Sequence, residues 1–183
     1  MNHLSHFLLI HLLFSKLQAS RGGSRVINLS SRAHLRHGGA IDYSLLKAAN
    51  AQNYDGWHAY GRSKLSNILC AKALAKRYPV ASSGISFFSL HPGLVATELL
   101  TVGGMNKSQG MPVSKGIKCT LHLCTSPEVA GQSGEYYHNE ELQFFRVTSE
   151  KAVSIMSDIA QSEGEADACF DMSMGLLRLD RFA

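Results

Sequence analysis

The sequence predicts an α/β fold built on a parallel sheet, and three observations carry that prediction. Helical and extended patterns alternate along the chain, the order expected when each strand is followed by a covering helix. Residues 85–90 (ISFFSL) form a nearly continuous apolar run, typical of a strand covered on both faces. The two best strand candidates end in Ser30-Ser31 and in His91-Pro92-Gly93, breaks that stop a ladder. With 183 residues, 45% of them hydrophobic, the chain can bury one real core and is expected to form a single domain.

Each element has its own justification. Residues 2–20 read as a helix apolar on most sides, hence deeply buried, and Arg21-Gly22-Gly23-Ser24 ends it. Residues 26–29 (VINL) make a short β-branched strand. Residues 32–56, with Gly38-Gly39 and many polar side chains, read as a long loop of the kind that usually serves function. A helix is expected from 56 to 78, stopping before Pro79. Leu65, Leu69 and Ala73 share its apolar face, and Lys72 and Lys76 mark its solvated one. Residues 94–112 are loop-like or partly helical, 114–126 form a helix that ends at Pro127, and 134–138 form a last strand. A polar terminal helix over 148–162 completes the pattern.

Composition excludes several classes. The formal charge is only +4 and no basic stripe is present, so no nucleic-acid partner is expected. Cys70, Cys119, Cys124 and Cys169 are scattered, which suits buried thiols better than a disulfide framework. Cys119, His122 and Cys124 fit no standard zinc spacing and read as ordinary helix residues. The apolar stretch 7–14 (FLLIHLLF) has no preceding positive charge, and it falls far short of the roughly 20 residues that span a bilayer. A buried helix is the better reading, and cytoplasmic and membrane-associated placement both stay open.

Three constellations carry chemistry. In Tyr60-Gly61-Arg62-Ser63-Lys64 the tyrosine and lysine lie four apart on one helix face. A nearby ammonium stabilises phenolate, so the tyrosine's pKa of about 10 should fall and make Tyr60 a usable general acid/base. Chance alone supplies roughly 0.3 such pairs in a chain of this composition, so a solvated helix pair is the default for the motif by itself. Ser31 follows the first strand, where a hydroxyl can reach a ligand; a turn serine bonded to local backbone is the plainer alternative. Pro92-Gly93 ends the second strand, lets backbone approach a ligand closely, and is followed by the Thr97 hydroxyl.

In this order the three resemble the short-chain dehydrogenase/reductase family. There a strand ends in Ser-Ser, a helix carries Tyr-x-x-x-Lys, and a later strand runs into Pro-Gly-x-x-x-Thr. Residues 1–7 (MNHLSHF), 59–67 (AYGRSKLSN) and 126–137 (SPEVAGQSGEYY) look like the retinol-dehydrogenase-like subgroup, close to the WW-domain-containing oxidoreductases. The matches cover residues 1–138. Ser5 and Arg62 depart from the commoner Gly and Ala or Ser.

The resemblance implies the carboxyl-terminal part of a Rossmann-like, doubly wound parallel sheet, about three strands with flanking helices and a variable tail from 139 to 183. It implies reversible alcohol–carbonyl oxidoreduction of a small-molecule substrate with NADP or NAD. Ser31 would hydrogen-bond the substrate oxygen and Tyr60 would exchange its proton. Lys64 would hold the nicotinamide ribose, and Asn2 would order a water linking that lysine to solvent. Pro92, Gly93, Leu94, Val95 and Thr97 would line the nicotinamide end. The family's Thr-Gly-x-x-x-Gly-x-Gly turn, whose N–H groups meet the pyrophosphate, does not occur in this sequence. Without the strands that normally precede it, the strand at 25–30 should present an open edge and nearby helices should bare apolar surface. Two readings follow: a working oxidoreductase seen in part, or a short non-catalytic relative. The latter would dimerise, with itself or with full-length relatives, through the helices at 2–20 and 57–78.

Overall fold

A computed structural model describes residues 1–37, 41, 54–140, 143–148, 150 and 155–182. Helix α1 (Leu4–Gln18) leads into strand β1 (Ser24–Leu29), a short helix α2 (Ala33–His37) and the long helix α3 (Gly56–Arg77). Strand β2 (Ile85–His91), helix α4 (Glu98–Val102), helix α5 (Lys118–Thr125), strands β3 (Glu135–Glu140) and β4 (Gln143–Arg146), and helix α6 (Glu163–Leu177) follow, with single turns between them. The sheet order is β1-β2-β3-β4, with β1, β2 and β3 parallel and β4 antiparallel to β3.

Local chemistry accounts for the main elements. In α1, Phe7, Ile10 and Phe14 are buried at three- and four-residue steps, and Gly23 (φ 76°) turns the chain into β1. The Asp55 side chain caps α3 by accepting the His58 N–H at 2.9 Å, and Pro79 follows its end. Every residue of β2 is buried, because helices lie on both faces of the sheet. Alternation along β2 divides the core. Ile85 and Phe87 pack with α1, α3 and α6, whereas Phe88 and Leu90 pack with Cys119 and Leu123 of α5.

Four features depart from the sequence reading. The strand at β3 is not the last: β4 returns beside it as an antiparallel fourth. The helix expected over 114–126 is broken into a turn, Val113–Gly116, and α5, because Gly116 packs so closely on Val95 that a Cβ would lie 2.5 Å from its Cγ2. Part of the expected loop 32–56 is α2, while 38–40 and 42–53 lie outside the described residues. The helix expected over 148–162 lies partly outside them too; its described part includes the turn Asp158–Gln161.

The long carboxyl-terminal helix is instead α6, and it belongs to the core. Its Ala166, Cys169 and Phe170 are buried, Phe170 lies 5.4 Å from Phe7 between ring centroids, and Arg77 stacks on Phe170 at 4.1 Å. Lys76 and Arg77 at the end of α3 also pair with Asp167 at 3.1 and 2.6 Å. The last helix therefore packs along α3 within this chain.

On its far side β1 has no neighbouring strand among the described residues. Leu9, Leu12 and Leu13 of α1, Leu29 of β1 and Leu121 of α5 are exposed near it, the bare apolar surface expected there. Among the described residues no helix is long and apolar enough to cross a membrane.

Candidate active site

The site forms at the carboxyl end of β1, where ligands of open α/β sheets bind. Its centre is the Leu29 carbonyl oxygen. Lys64 Nζ donates to it at 3.1 Å and Asn67 Nδ2 at 2.9 Å, so two side chains one turn apart on α3 grip the strand end. Ser30 closes the contact by donating from Oγ to the Lys64 carbonyl at 2.7 Å. The same ammonium lies 5.5 Å from the centre of the Tyr60 ring, the shared face expected from four-residue spacing. Burial holds the Lys64 amine below its ordinary pKa.

Ser31 sits one residue beyond this grip. Its Oγ accepts the Ala33 N–H at 3.2 Å, a serine turn that occupies a lone pair and leaves the hydroxyl hydrogen to be donated. Asn2 reaches the motif from the start of α1, donating to Ser63 Oγ at 3.3 Å; Ser63 Oγ donates to the Tyr60 carbonyl at 2.7 Å. Asn2, Tyr60, Lys64 and the strand end that leads into Ser31 are thus brought together.

The residues expected at the nicotinamide end occupy the turn after β2. Asn139 of β3 anchors it by donating to the Pro92 carbonyl at 3.0 Å. Gly93 adopts φ 87°, and a Cβ there would lie 2.5 Å from the Met111 methyl and 3.2 Å from the Asn139 carbonyl. The Leu94 carbonyl accepts the Met111 N–H at 2.8 Å, and Val95 pairs with Met111 in a parallel bridge. Thr97 precedes α4 with an exposed side chain that makes no capping bond. Trp57 joins the two halves: its ring meets Tyr60 edge-on at 6.0 Å and lies against Gly103.

The nicotinamide end of a dinucleotide fits these residues. An ammonium has three donors and Lys64 uses one on Leu29, which leaves two for ribose hydroxyls. The turn at Gly93 has no space for a side chain. The diphosphate end has no matching glycine-rich motif in this sequence.

Several supporting residues are given no role by the sequence reading. His3 is buried, with Nδ1 3.4 Å from Asn67 Oδ1 and Nε2 2.8 Å from Ser173 Oγ, so it links α1, α3 and α6 behind the Leu29 carbonyl. Burial pushes its pKa down to about 4. His91, at the end of β2, lies 5.0 Å from His138 between ring centroids; burial first, and then that neighbour, push its pKa down to about 3. His34 and Tyr136 are buried beside them, their rings 5.8 Å apart. An apolar pattern hides such residues, because a buried histidine reads as a break in it. The nearest signal was their placement beside strand ends.

No family model matches the chain. Individual relatives do. The chain is 42% identical over 135 residues to human retinol dehydrogenase 13, covering 74% of this chain and 39% of that protein. It is 34% identical over 185 residues to human retinol dehydrogenase 11, covering 97% and 52%. The chloroplastic short-chain dehydrogenase TIC 32 B of Brassica napus is 33% identical over 155 residues, covering 74% and 46%. Among solved structures, an uncharacterized protein from Mycobacterium paratuberculosis matches with a TM-score of 0.68 at 26% identity, over all of this chain and 58% of its own. The chain spans about half the length of the curated relatives it matches. Relatives of one kind, aligned to 74–97% of the chain, and a shared fold place its ancestry: it belongs to the short-chain dehydrogenase/reductase family, in the retinol-dehydrogenase-like subgroup.

Proposed function

We propose that this chain forms the substrate and nicotinamide side of an NAD(P)-dependent oxidoreductase that interconverts an alcohol and a carbonyl. The observation that carries the reading is the Lys64 ammonium, which lies 5.5 Å from the Tyr60 ring and donates to the Leu29 carbonyl at the β1 end. The cofactor, when bound, supplies or accepts the hydride. Tyr60 gives the substrate oxygen its proton, or takes it in the reverse direction. Ser31 donates its hydroxyl hydrogen to the same oxygen, which places both donors where charge develops. Lys64 holds the ribose, Asn2 steadies the lysine helix through Ser63 and orders water beside it, and Pro92, Gly93, Leu94, Val95 and Thr97 bound the nicotinamide.

The rim of this site is apolar. Trp57, Leu94, Leu99 and Val102 are exposed, Val102 at 83%, and Trp57 touches both Tyr60 and the α4 end. Such a rim suits a long hydrocarbon alcohol or aldehyde better than a short polar one. Relatives named as retinol dehydrogenases support a retinoid-class substrate.

The test is titration with NADPH and NADH followed by cofactor fluorescence, then turnover of retinol, retinal and short alcohols. Saturable binding, with turnover abolished by Tyr60→Phe while binding persists, is the expected result. A folded chain that binds neither cofactor, or a Tyr60→Phe variant that still turns over, would sink the reading.

A further inference from the structure

His34 is wholly buried three residues after Ser31. Its Nδ1 lies 2.6 Å from the Ser31 carbonyl oxygen, which also accepts the His34 backbone N–H at 3.1 Å. A carbonyl can only accept, so Nδ1 carries the hydrogen and the neutral ring is the Nδ1–H tautomer. Burial holds this imidazole below its ordinary pKa, outweighing the opposite pull of the bond to Ser31. On its other side the ring meets Tyr136 of β3 in a T-shaped contact. His34 Nε2 and the Tyr136 hydroxyl are buried with no hydrogen-bond partner among the described residues. A leucine would fill the same space without burying an unsatisfied nitrogen, which is an unfavourable thing to do. What imidazole alone among such fillers offers here is the Nδ1–H.

We propose that His34 is a positioning residue for Ser31, its Nδ1–H clamping the Ser31 carbonyl and so setting the direction in which the Ser31 hydroxyl meets the substrate oxygen. This rests on the alcohol–carbonyl reading of the site. The peptide that follows Ser31 is held by two bonds from His34, and the same turn delivers the Ala33 N–H to Ser31 Oγ at 3.2 Å. With the peptide plane and one Oγ lone pair both engaged, the remaining freedom is rotation of the hydroxyl hydrogen. The Tyr136 contact ties the clamp to a strand in the middle of the sheet, so the serine inherits the rigidity of the core.

The nitrogen position makes the idea testable. Asparagine places an N–H donor where Nδ1 stands, glutamine places one nearer Nε2, and leucine places none. In the 183-residue chain, Ser31 13Cβ and Ala33 amide resonances should stay near wild type in His34→Asn and shift in His34→Gln and His34→Leu. The wild-type ring should give the 15N pattern of a neutral Nδ1–H tautomer. In turnover, His34→Gln and His34→Leu should lose up to about 100-fold in kcat at unchanged cofactor affinity, with His34→Asn within a few-fold of wild type. Should the leucine variant fail to fold, the asparagine and glutamine pair, alike in polarity, decides the matter. An Nε2–H tautomer, or equal behaviour of the asparagine and glutamine variants, overturns the proposal. If the wild-type chain shows no turnover while the resonance pattern holds, the alcohol–carbonyl reading fails and the clamp on Ser31 stands.

Discussion

At the scale of single residues, Lys64 and Asn67 do related but separable work. Both donate to the Leu29 carbonyl, so either one keeps that acceptor satisfied when the other is removed. Lys64→Ala should therefore lower stability by less than about 1 kcal/mol, since only one of two bonds to a shared acceptor is lost. Its effect on function should be far larger. The ammonium that holds ribose beside Tyr60 would be gone, so cofactor Kd should rise about 10-fold or more, the range for a hydrogen bond to a charged group, and turnover should fall with it. Denaturant melts and fluorescence titration of the same variant separate the two effects. A large stability loss at unchanged cofactor affinity would make Lys64 a structural lysine. The Tyr60–Lys64 relation was legible in the sequence because it is a four-residue step within one helix. Asn67 was not, since its role depends on a carbonyl 38 positions away.

Elements show how local conformation and packing share the task. Gly93 stops β2 at φ 87° beneath Met111 and the Asn139 carbonyl, whereas a Cβ added to Gly22, before β1, would meet nothing within 4 Å, and Gly22 has no positive φ. Gly93→Ala should destabilise by about 1–3 kcal/mol through left-handed strain and crowding, and Gly22→Ala should be near neutral. Thermal melts of the two side by side check this, and equal shifts would remove the argument for a glycine-specific turn. The last helix carries the other consequence. Phe170 of α6 packs on Phe7 and Phe182 at 5.4 and 5.5 Å and beneath Arg77, so Phe170→Ala should cost about 3–5 kcal/mol in denaturant unfolding. A loss under about 1 kcal/mol would mean that α6 is peripheral. Nothing in the local pattern of residues 163–177 announced this, because the helix is defined by what it covers on α3 and α1.

For the whole molecule, buried histidines make stability depend on pH. His3 and His91 titrate near 6.5 when unfolded but at about 4 and about 3 when folded. Below pH 6.5 the unfolded chain takes up protons that the folded chain refuses, so acid favours unfolding. Their contribution is fully present above about pH 6.5 and drains as pH falls towards about 4 for His3 and about 3 for His91, by about 2 kcal/mol for each at pH 5. Urea unfolding from pH 8 to 5 should show a plateau and then this decline, and His3→Gln should shallow it. A flat profile between pH 7 and 5 would show that these rings are solvated. The open edge of β1 and the exposed leucines of α1 belong to this scale too, an unpartnered strand edge beside bare apolar surface among the described residues.

What the sequence by itself determined is local. An apolar run at 85–90 must be a covered strand, Ser30-Ser31 and Pro92-Gly93 must end strands, and Tyr60 and Lys64 must share a helix face. Each follows from side-chain period or backbone restriction within a few residues. Tertiary structure alone decided which distant groups meet at those ends. It set β4 beside β3, laid α6 along α3, placed His3 between Asn67 and Ser173, and turned His34 onto the Ser31 carbonyl against Tyr136. The reason is physical: a buried polar group is placed by partners that satisfy it across the fold, and no local pattern encodes a partner up to 170 positions away, as Ser173 is from His3.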